Sequence, residues 1–507
     1  MGAIRKQAIL SSIVIYIGFV IGFVNTWFFI KSGQNAFTPA EYGLTRLFFD
    51  VGSLMYAVAA LGIIPVVYKF FPYYHHHLPH KKIDLYTWSF LAVIIGFLLV
   101  IAGGLLFEPI IIRKYSERSI LFVDYFHWVF IFGFGILMFN ILEGISLTYK
   151  QPILPNLLRE TVMRLLTLLL IFAYFTGIFN FDEFIKLFAI QFIVIAFILG
   201  WILRARGQWP INFKISKVTR RFKKQILTLS VLSFSGSVIM ILSQVADSII
   251  IASVSPKGIH DAGVYNLSTY IANLIQVPQR SIITATIPIL SIAWKSKNKN
   301  EIQRIYERSS INLLLIGLFI FTGIWLNIRE AFQLLGIQSA YQSGIEVVFI
   351  LGISKLIDAG TGINAQIIGT SSKWRFEFFS GIILIILFLP LNYLLIKEMG
   401  ITGSAYANLI SFSVYNLIRF LFLWKKFNLQ PFNAKTLYSI LLGVTGFLIA
   451  HYTTQDIEGW IGIIVRSSLF AIIFITGIFI LKLTPDAMQL YEVVRIKVKG
   501  QRSKPKS

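Results

Sequence analysis

The chain has 507 residues, of which 56% are hydrophobic and only 14% are charged, and its mean hydropathy is +0.73. This composition excludes a soluble globular protein and is typical of a polytopic α-helical membrane protein. The chain has no cysteine, which excludes disulfides and thiolate metal sites, and its formal net charge is +23.

Apolar segments of spanning length follow one another along the whole chain. The first begins after Arg5 and Lys6 and is too long for the core of a signal peptide, so we interpret it as a retained transmembrane helix. Fourteen segments are predicted to span the membrane: 9–30, 45–71, 85–107, 120–145, 157–178, 183–203, 226–253, 264–292, 309–328, 344–368, 377–396, 402–424, 435–453 and 461–482.

Lysine and arginine concentrate in alternate loops, with the richest stretches at 204–224, 295–308 and 495–507. Because basic loops remain in the cytoplasm, this bias predicts that both termini are cytoplasmic. The positive charge is then explained by topology and by attraction to an anionic leaflet, and no nucleic-acid partner is expected.

Sequence signals of an enzyme are missing. The loops on the predicted outer side are short, and there is no Gly-rich nucleotide loop, no paired carboxylate set in an aqueous cleft and no nucleophile–base set. The histidines of "YYHHHLPH" (73–80) have no carboxylate beside them before Asp84, which favours a solvated basic loop over a metal site. We expect a transporter with no cofactor and no metal.

Three landmarks recur at a nearly constant offset. Gly43 matches Gly263 (263 − 43 = 220), Pro65 matches Pro288 (223) and Gly144 matches Gly362 (218). The offset predicts two parallel six-helix lobes with a substrate path between them, which is a transporter architecture; chance similarity among Gly and Pro is the alternative. The predicted domains are an N-lobe at 1–203 (spans 1–6), a basic linker at 204–225, a C-lobe at 226–424 (spans 7–12), spans 13 and 14 at 435–482, and a basic cytoplasmic tail at 483–507.

The second span carries Arg46 and, one helical turn later, Asp50. A charge at the centre of a bilayer costs roughly 2.5–3.5 kcal/mol on insertion scales, whereas an i,i+4 ion pair returns only about 0.2–0.5 kcal/mol. Arg46 is near its helix end, so it could snorkel to the surface. Asp50 and Ser53 continue its face inward, which predicts that this stretch lines a water-filled cavity.

Polar residues also follow one face of spans seven and eight. Span seven carries Ser230, Ser233, Ser237, Gln244 and Asp247, and span eight carries Asn266, Thr269, Asn273, Gln276, Arg280 and Thr284. Such faces look toward other helices or toward water, and interhelical hydrogen bonding is the simpler alternative. Near the middle of its span and beside Pro278, Arg280 suits an anionic group such as phosphate, although it could instead pair with Asp247.

The predicted substrate cavity therefore contains Arg46, Asp50, Ser53, Ser237, Gln244, Asp247, Asn266, Asn273, Gln276 and Arg280. Span ten adds Lys355 and Asp358, one turn apart. These two form either a local ion pair or part of a proton or sodium relay.

The sequence resembles the Wzx-type polysaccharide-biosynthesis flippases of the multidrug/oligosaccharidyl-lipid/polysaccharide (MOP) exporter superfamily. The resemblance rests on the 6+6+2 helix count and on "EYGLTRLFFDVGSLMYAVAALGIIP", "AGVYNLSTYIANLIQVPQRSIITATIPILS" and "MGITGSAYANLIS". It implies a MATE-like fold in the bacterial inner membrane. The implied activity is translocation of undecaprenyl-pyrophosphate-linked oligosaccharides for O-antigen, capsule or exopolysaccharide synthesis, with a polymerase and chain-length proteins as possible partners.

Two other transport functions stay open, namely a MATE-type multidrug or ion antiporter and a peptidoglycan-precursor flippase. Arginines in the cavity favour a pyrophosphate, whereas Asp50, Asp247 and Asp358 would suit a cationic drug. A membrane glycosyltransferase or polymerase is disfavoured because the chain has no large outer loop with catalytic residues.

Overall fold

The computed structural model describes residues 2–486, and among the first sixteen residues it describes the side chain of Val14 alone. The predicted basic tail, 483–507, lies outside the described residues except for its first four. The described chain is built from helices, without a β-strand. Its contacts divide it into two compact units, the first ending at Asn266 and the second beginning at Leu267.

The first unit contains eleven α-helices among its described residues, and a π-helix over Leu157–Val162 joins the eighth to the ninth. They are α1 (Gly2–Ile30), α2 (Pro39–Ala59), α3 (Ile63–His77), α4 (Leu85–Leu106), α5 (Glu108–Tyr115), α6 (Ile120–Asp124), α7 (Phe126–Thr148), α8 (Ile153–Asn156), α9 (Met163–Phe175), α10 (Phe181–Ala205) and α11 (Lys217–Val254). The next helix, α12 (Ile259–Asn273), crosses the sequence boundary between the units.

A 3-10 turn over Leu274–Gln276 follows α12 at the start of the second unit. The helices after it are α13 (Val277–Lys295), α14 (Lys299–Leu334), α15 (Gly344–Gly360), α16 (Asn364–Thr370), α17 (Arg375–Phe427), α18 (Ala434–Thr453) and α19 (Gly459–Ile480). The 53-residue α17 holds two predicted spans, which are divided at Gly400, where φ is 60° and ψ is −139°.

The helices confirm the prediction of an all-α, multi-pass membrane protein. Within residues 2–486, eight helices are long and apolar enough to cross a membrane, or nine when the bent pair α2–α3 counts as one span. The other five predicted segments fall on α1, on α9 with its π-helix, on α12–α13, on α15–α16 and on the second half of α17. Three reasons account for the difference from fourteen: breaks inside spans, one merger across Gly400, and the description of α1 as an apolar helix over Ile17–Ile30 alone.

Two predicted spans are broken near their middle. Between α2 and α3 the chain bends by 49°, with Leu61 at φ 48° and Gly62 at φ 68°. The hydroxyl of Ser230 on α11 donates to the carbonyl of Leu61, so a backbone acceptor freed by the break is satisfied by a side chain. Span eight breaks at the 3-10 turn just before Pro278.

The second break does not move the later polar residues of span eight off the predicted face. A 3-10 helix turns about 120° per residue, against 100° in an α-helix, so three residues rotate the following helix by roughly 60°. Around a straight helix Gln276 and Arg280 would stand about 80° and 40° from Asn266, and with the 3-10 turn each stands about 20° from it. The polar stripe stays a prediction.

Packing in the first unit turns the charged face of α2 toward α11. On the opposite face, Phe48 and Gly52 pack against Phe132 of α7, with ring centroids of Phe48 and Phe132 5.8 Å apart. The α11 helix packs along both α2 and α3. Arg46 and Asp50, which lie roughly 200° around α2 from Phe48, are thereby held among helices rather than left facing lipid.

Hydrogen bonds fasten both ends of α11 within this unit. At its start, the carboxylate of the buried Asp84 accepts from the backbone N–H of Ser216 (2.9 Å) and from the hydroxyl of Thr219 (2.7 Å). At its end, the Ser119 hydroxyl donates to the Ala252 carbonyl (2.6 Å), and the Arg118 guanidinium donates to the Val254 carbonyl. Contacts therefore group α11 with the first unit, whereas the repeat assigns it to the C-lobe; the lobe boundaries stay a prediction.

Two glycines matched by the repeat contact each other's helix reciprocally. A Cβ atom on Gly43 would lie 2.2 Å from the carbonyl oxygen of Ile259, and one on Gly263 would lie 2.1 Å from that of Pro39. Pro39 and Ile259 are themselves related by the same offset, 259 − 39 = 220. A reciprocal contact between equivalent residues is what a two-fold relation between repeats produces, and it leaves no room for any side chain larger than hydrogen.

Arg466 joins α19 to α14 in the second unit. Its guanidinium is buried and donates to the carbonyl of Leu326 (3.1 Å), the carboxylate of Glu330 (3.0 Å), the hydroxyl of Thr454 (3.2 Å) and the carbonyl of Ile457 (3.3 Å). The other carboxylate oxygen of Glu330 accepts from the backbone of Gly459. The guanidinium is therefore paired with a carboxylate and with neutral acceptors, and it connects α19 to α14 and to the loop between α18 and α19.

Candidate substrate site

Four of the predicted cavity residues lie together in the first unit. Arg46 and Asp50 project from α2, Asp247 from α11 and Asn266 from α12. Asp50 lies close to Ser248 and within electrostatic range of Arg46 and Asp247. We refer to these four residues with Ser248 as the Arg46–Asp50 cluster.

Ser248 lies beside Asp50 and is hydrogen-bonded to α12. Its hydroxyl accepts from the side-chain amide nitrogen of Asn266 at 3.1 Å and lies 3.3 Å from the amide oxygen, to which it can donate. The same amide nitrogen of Asn266 also donates to the carbonyl of Ala262 at 2.9 Å. Ser248 is not among the cavity residues predicted from the sequence, because it stands beside the predicted polar face of α11 rather than on it.

The guanidinium of Arg46 is half-buried and lies over the ring of Tyr42, 5.0 Å from the ring centroid. Its Nε and one carboxylate oxygen of Asp50, Oδ2, are buried without a hydrogen-bond partner among the described residues. No ion pair within 4.0 Å joins the two side chains in the described part of the chain, so the i,i+4 pair considered from the sequence is not formed. Unsatisfied polar atoms in a buried cluster indicate a place for water or for a ligand.

The cluster lies well inside its helices. Asp50 is eleven residues from Pro39, the start of α2, which corresponds to about 16 Å at 1.5 Å per residue. Asp247 is seven residues from Val254, the end of α11, and Asn266 is seven residues from Ile259, the start of α12, or about 10 Å in each case. The predicted topology places all three of these helix ends on the outer side of the membrane.

Three other predicted residues of the first unit lie near this cluster in sequence but outside its hydrogen bonds. Ser53 and Ser237 are half-buried, and Gln244 is exposed. None of the three forms a side-chain hydrogen bond with another described residue. The structure gives them no direct link to Arg46 or Asp50.

In the second unit, Asp358 is the centre of a separate polar network. Its carboxylate accepts from the amides of Gln276 (2.8 Å), Gln279 (3.3 Å) and Asn416 (3.1 Å). The carboxamide oxygen of Asn416 in turn accepts from Thr361 (3.1 Å) and Asn364 (2.9 Å). Three side-chain amides therefore donate to one carboxylate, and the oxygens of Asp358 are satisfied within this unit.

The remaining predicted residues of this unit are not among the hydrogen-bond donors to Asp358. Asn273 and Arg280 are exposed, and within its own unit Arg280 forms no ion pair with a described carboxylate. The Lys355 ammonium lies 5.9 Å from the ring centroid of Phe412. A role of Lys355 and Asp358 in a proton or sodium relay stays a prediction.

Sequence reasoning missed a charged group in the first unit. The guanidinium of Arg159 donates to the side-chain oxygen of Asn140 (3.0 Å) and pairs with the carboxylate of Glu143 (2.5 Å). Arg159 lies in the π-helix, a local distortion often associated with functional sites. The signal was present in the sequence, because Glu143 and Arg159 interrupt apolar spans just as Arg46 and Asp50 do.

Known structures share this arrangement of helices. The lipid II flippase MurJ, in an inward closed conformation, has a TM-score of 0.71 at 13% identity, over 93% of this chain and 98% of that chain. A multidrug resistance MATE family transporter of the MOP superfamily, in an inward-facing conformation, has a TM-score of 0.63 at 15% identity, over 83% of this chain and 98% of that one. This chain has the fold of these transporters. The predicted MATE-like fold is therefore confirmed.

A third structure with this fold is a MOP superfamily transporter from Pyrococcus furiosus, for which reverse polarity of the binding pocket suggests a different function. It has a TM-score of 0.55 at 15% identity, over 84% of this chain and 96% of that chain. No protein-family model matches the sequence, and no curated protein matches it. At these identities the likeness shows the fold, and the substrate has to be argued from the residues of this chain.

Proposed function

We propose that this protein is a flippase that moves polyprenyl-pyrophosphate-linked oligosaccharides across the bacterial inner membrane for surface polysaccharide synthesis. The observation that carries the proposal is the half-buried guanidinium of Arg46, which rests on Tyr42 and has a buried Nε without a partner. A half-buried guanidinium with an N–H that no described residue accepts suits the oxygens of a pyrophosphate. The transporter fold supports the same function.

Two further candidate functions have specific support. The lipid II flippase MurJ shares the fold at a TM-score of 0.71, which favours a peptidoglycan precursor as an alternative lipid-linked substrate. The carboxylates of Asp50 and Asp247 in the Arg46–Asp50 cluster favour a MATE-type antiporter for cationic compounds. All three functions are compatible with the same fold. The experiment must therefore test whether the cluster binds an anionic or a cationic substrate.

The experiment deletes the gene, restores it as wild type, Arg46→Ala or Asp50→Asn, and identifies accumulated polyprenyl-linked glycans by mass spectrometry. For a pyrophosphate site we expect Arg46→Ala to lower export by about 10- to 100-fold, since a hydrogen bond to a charged group contributes about 1.5–3 kcal/mol. Asp50→Asn should retain most export, because it removes a negative charge from an anion site. Arg113→Ala, an exposed arginine on α5, is the control with the same change in charge.

Each outcome selects one candidate. Accumulation of an oligosaccharide carrier together with loss of surface glycan supports the proposal. Accumulation of a peptidoglycan precursor would move the assignment to that substrate. No accumulated carrier, with loss of drug resistance in Asp50→Asn but not in Arg46→Ala, would replace it with the antiporter.

A further inference from the structure

A cavity of about 650 Å³ lies within the second unit, between the last turns of α14 and the first turns of α15. Its volume is within the range of about 300–1,000 Å³ that is usual for small-molecule sites. None of the residues selected from the sequence lines it. Of the eight residues that line it, six set its chemistry: Trp325, Arg329, Gln333, Gln342, Glu346 and Phe349.

The cavity has an aromatic wall and two charges of opposite sign. The ring centroids of Trp325 and Phe349 are 4.5 Å apart. The side chains of Arg329 and Glu346 are exposed, and neither forms an ion pair or a side-chain hydrogen bond with another described residue. Both charges are therefore available to a ligand, in contrast to the Glu330–Arg466 pair nearby on α14.

A ligand that carries both a phosphate and an ammonium group matches this wall. A guanidinium binds phosphate oxygens through two parallel hydrogen bonds. A carboxylate pairs with an ammonium, and an indole ring face attracts the same cation. An anionic lipid would satisfy Arg329 but would be repelled by Glu346, and a neutral glycan would leave both charges unmatched.

The position of the cavity fits a lipid headgroup. Arg329 is five residues from Leu334, the end of α14, or about 8 Å along the helix. The predicted topology puts that end on the outer side, where tryptophan is enriched at headgroup level. We propose that the cavity binds the zwitterionic headgroup of an outer-leaflet phospholipid of the ethanolamine type, with phosphate on Arg329 and ammonium on Glu346. This site is independent of the proposed transport function.

The test is native mass spectrometry of the purified full chain, titrated with dioleoyl phosphatidylethanolamine or dioleoyl phosphatidylglycerol. We expect Arg329→Gln and Glu346→Gln each to weaken ethanolamine-lipid binding by about threefold to fivefold, the range of an exposed charge pair. Lys397→Gln and Glu398→Gln are matched controls, because they are exposed residues at the same predicted side of the membrane and make the same charge changes. These controls should change binding by less than about twofold.

Soluble glycerophosphoethanolamine distinguishes the two sources of this chemistry. If it displaces the lipid, the headgroup alone is the ligand; if it does not, while binding still depends on Arg329 and Glu346, the intact lipid is the ligand. Equal binding of the two lipids would overturn the proposal. So would retained preference for ethanolamine lipid in both cavity variants, provided that their melting temperatures match that of the wild type.

Discussion

Two arginines in apolar helices differ in how many of their guanidinium N–H donors have an acceptor in the protein. Arg466 donates to a carboxylate, a hydroxyl and two backbone carbonyls, and its side chain is buried. Arg46 lies over an aromatic ring and keeps a buried Nε without a partner. A buried charge whose donors are all used stabilises structure, whereas one with an open donor is available to a ligand.

We predict that Arg466→Met destabilises the protein by about 3–5 kcal/mol, because it leaves the carboxylate of Glu330 buried without its partner. The double variant Arg466→Met with Glu330→Leu should recover most of this loss. Thermal or denaturant unfolding in detergent measures both. Arg304→Ala is the control, since Arg304 pairs with Glu301 at 3.7 Å on an exposed surface and such a pair contributes under about 1 kcal/mol. A double variant as unstable as the single one would contradict the charge argument.

At the scale of elements, the crossing of α2 and α12 depends on two glycines. Each helix backbone enters the space that a side chain on the other would occupy, as the distances of 2.1 and 2.2 Å for added Cβ atoms show. The crossing lies about one turn from the start of each helix, between the Arg46–Asp50 cluster and the predicted outer side of the membrane. We infer that it closes access to the cluster from that side.

Gly43→Ala or Gly263→Ala should separate the two helix ends and open this path. The readout is a cysteine introduced at Ser248, a buried position in a chain without other cysteines. We expect a membrane-impermeant maleimide to label it faster from outside in either glycine variant than in the background with both glycines. Gly33→Ala is the control, because a Cβ atom at Gly33 meets nothing within 4 Å. Unchanged labelling in both variants would show that the crossing does not limit access.

At the scale of the whole molecule, the direction of the helices relative to the membrane is predicted from where basic residues lie. The stretches 204–224 and 295–308, which include the first turns of α11 and α14, are rich in lysine and arginine, and the loops after α5 and α18 carry few. This asymmetry predicts the direction of every helix at once, because each crossing reverses the chain. The predicted outer placement of the Arg46–Asp50 cluster and of the cavity beside Arg329 depends on it.

Cysteine labelling tests this orientation directly. We predict that cysteines at Lys217 and Lys297 react with an impermeant reagent only from the cytoplasmic side. Cysteines at Ser116 and Asp456 should react only from outside, and all four residues lie outside the predicted spans. A mixed pattern at either pair would contradict the fourteen-span topology.

The sequence alone was sufficient to predict the class of fold. The length of an apolar segment can be read from the sequence, and a helix of about 20 apolar residues matches the thickness of the bilayer core. The sequence also indicated that Arg46, Asp50, Asp247 and Asn266 face inward, since exposure of a polar side chain to lipid is energetically costly. Their role in substrate binding stays a prediction.

Only the tertiary structure decided which atoms meet. Periodicity assigns a residue to a face, but not to a partner that is distant in sequence. Ser248 is hydrogen-bonded to Asn266, and Asp358 accepts from three carboxamides. The break at Leu61 also depends on a distant segment, because Ser230 of α11 satisfies the backbone carbonyl that the break frees.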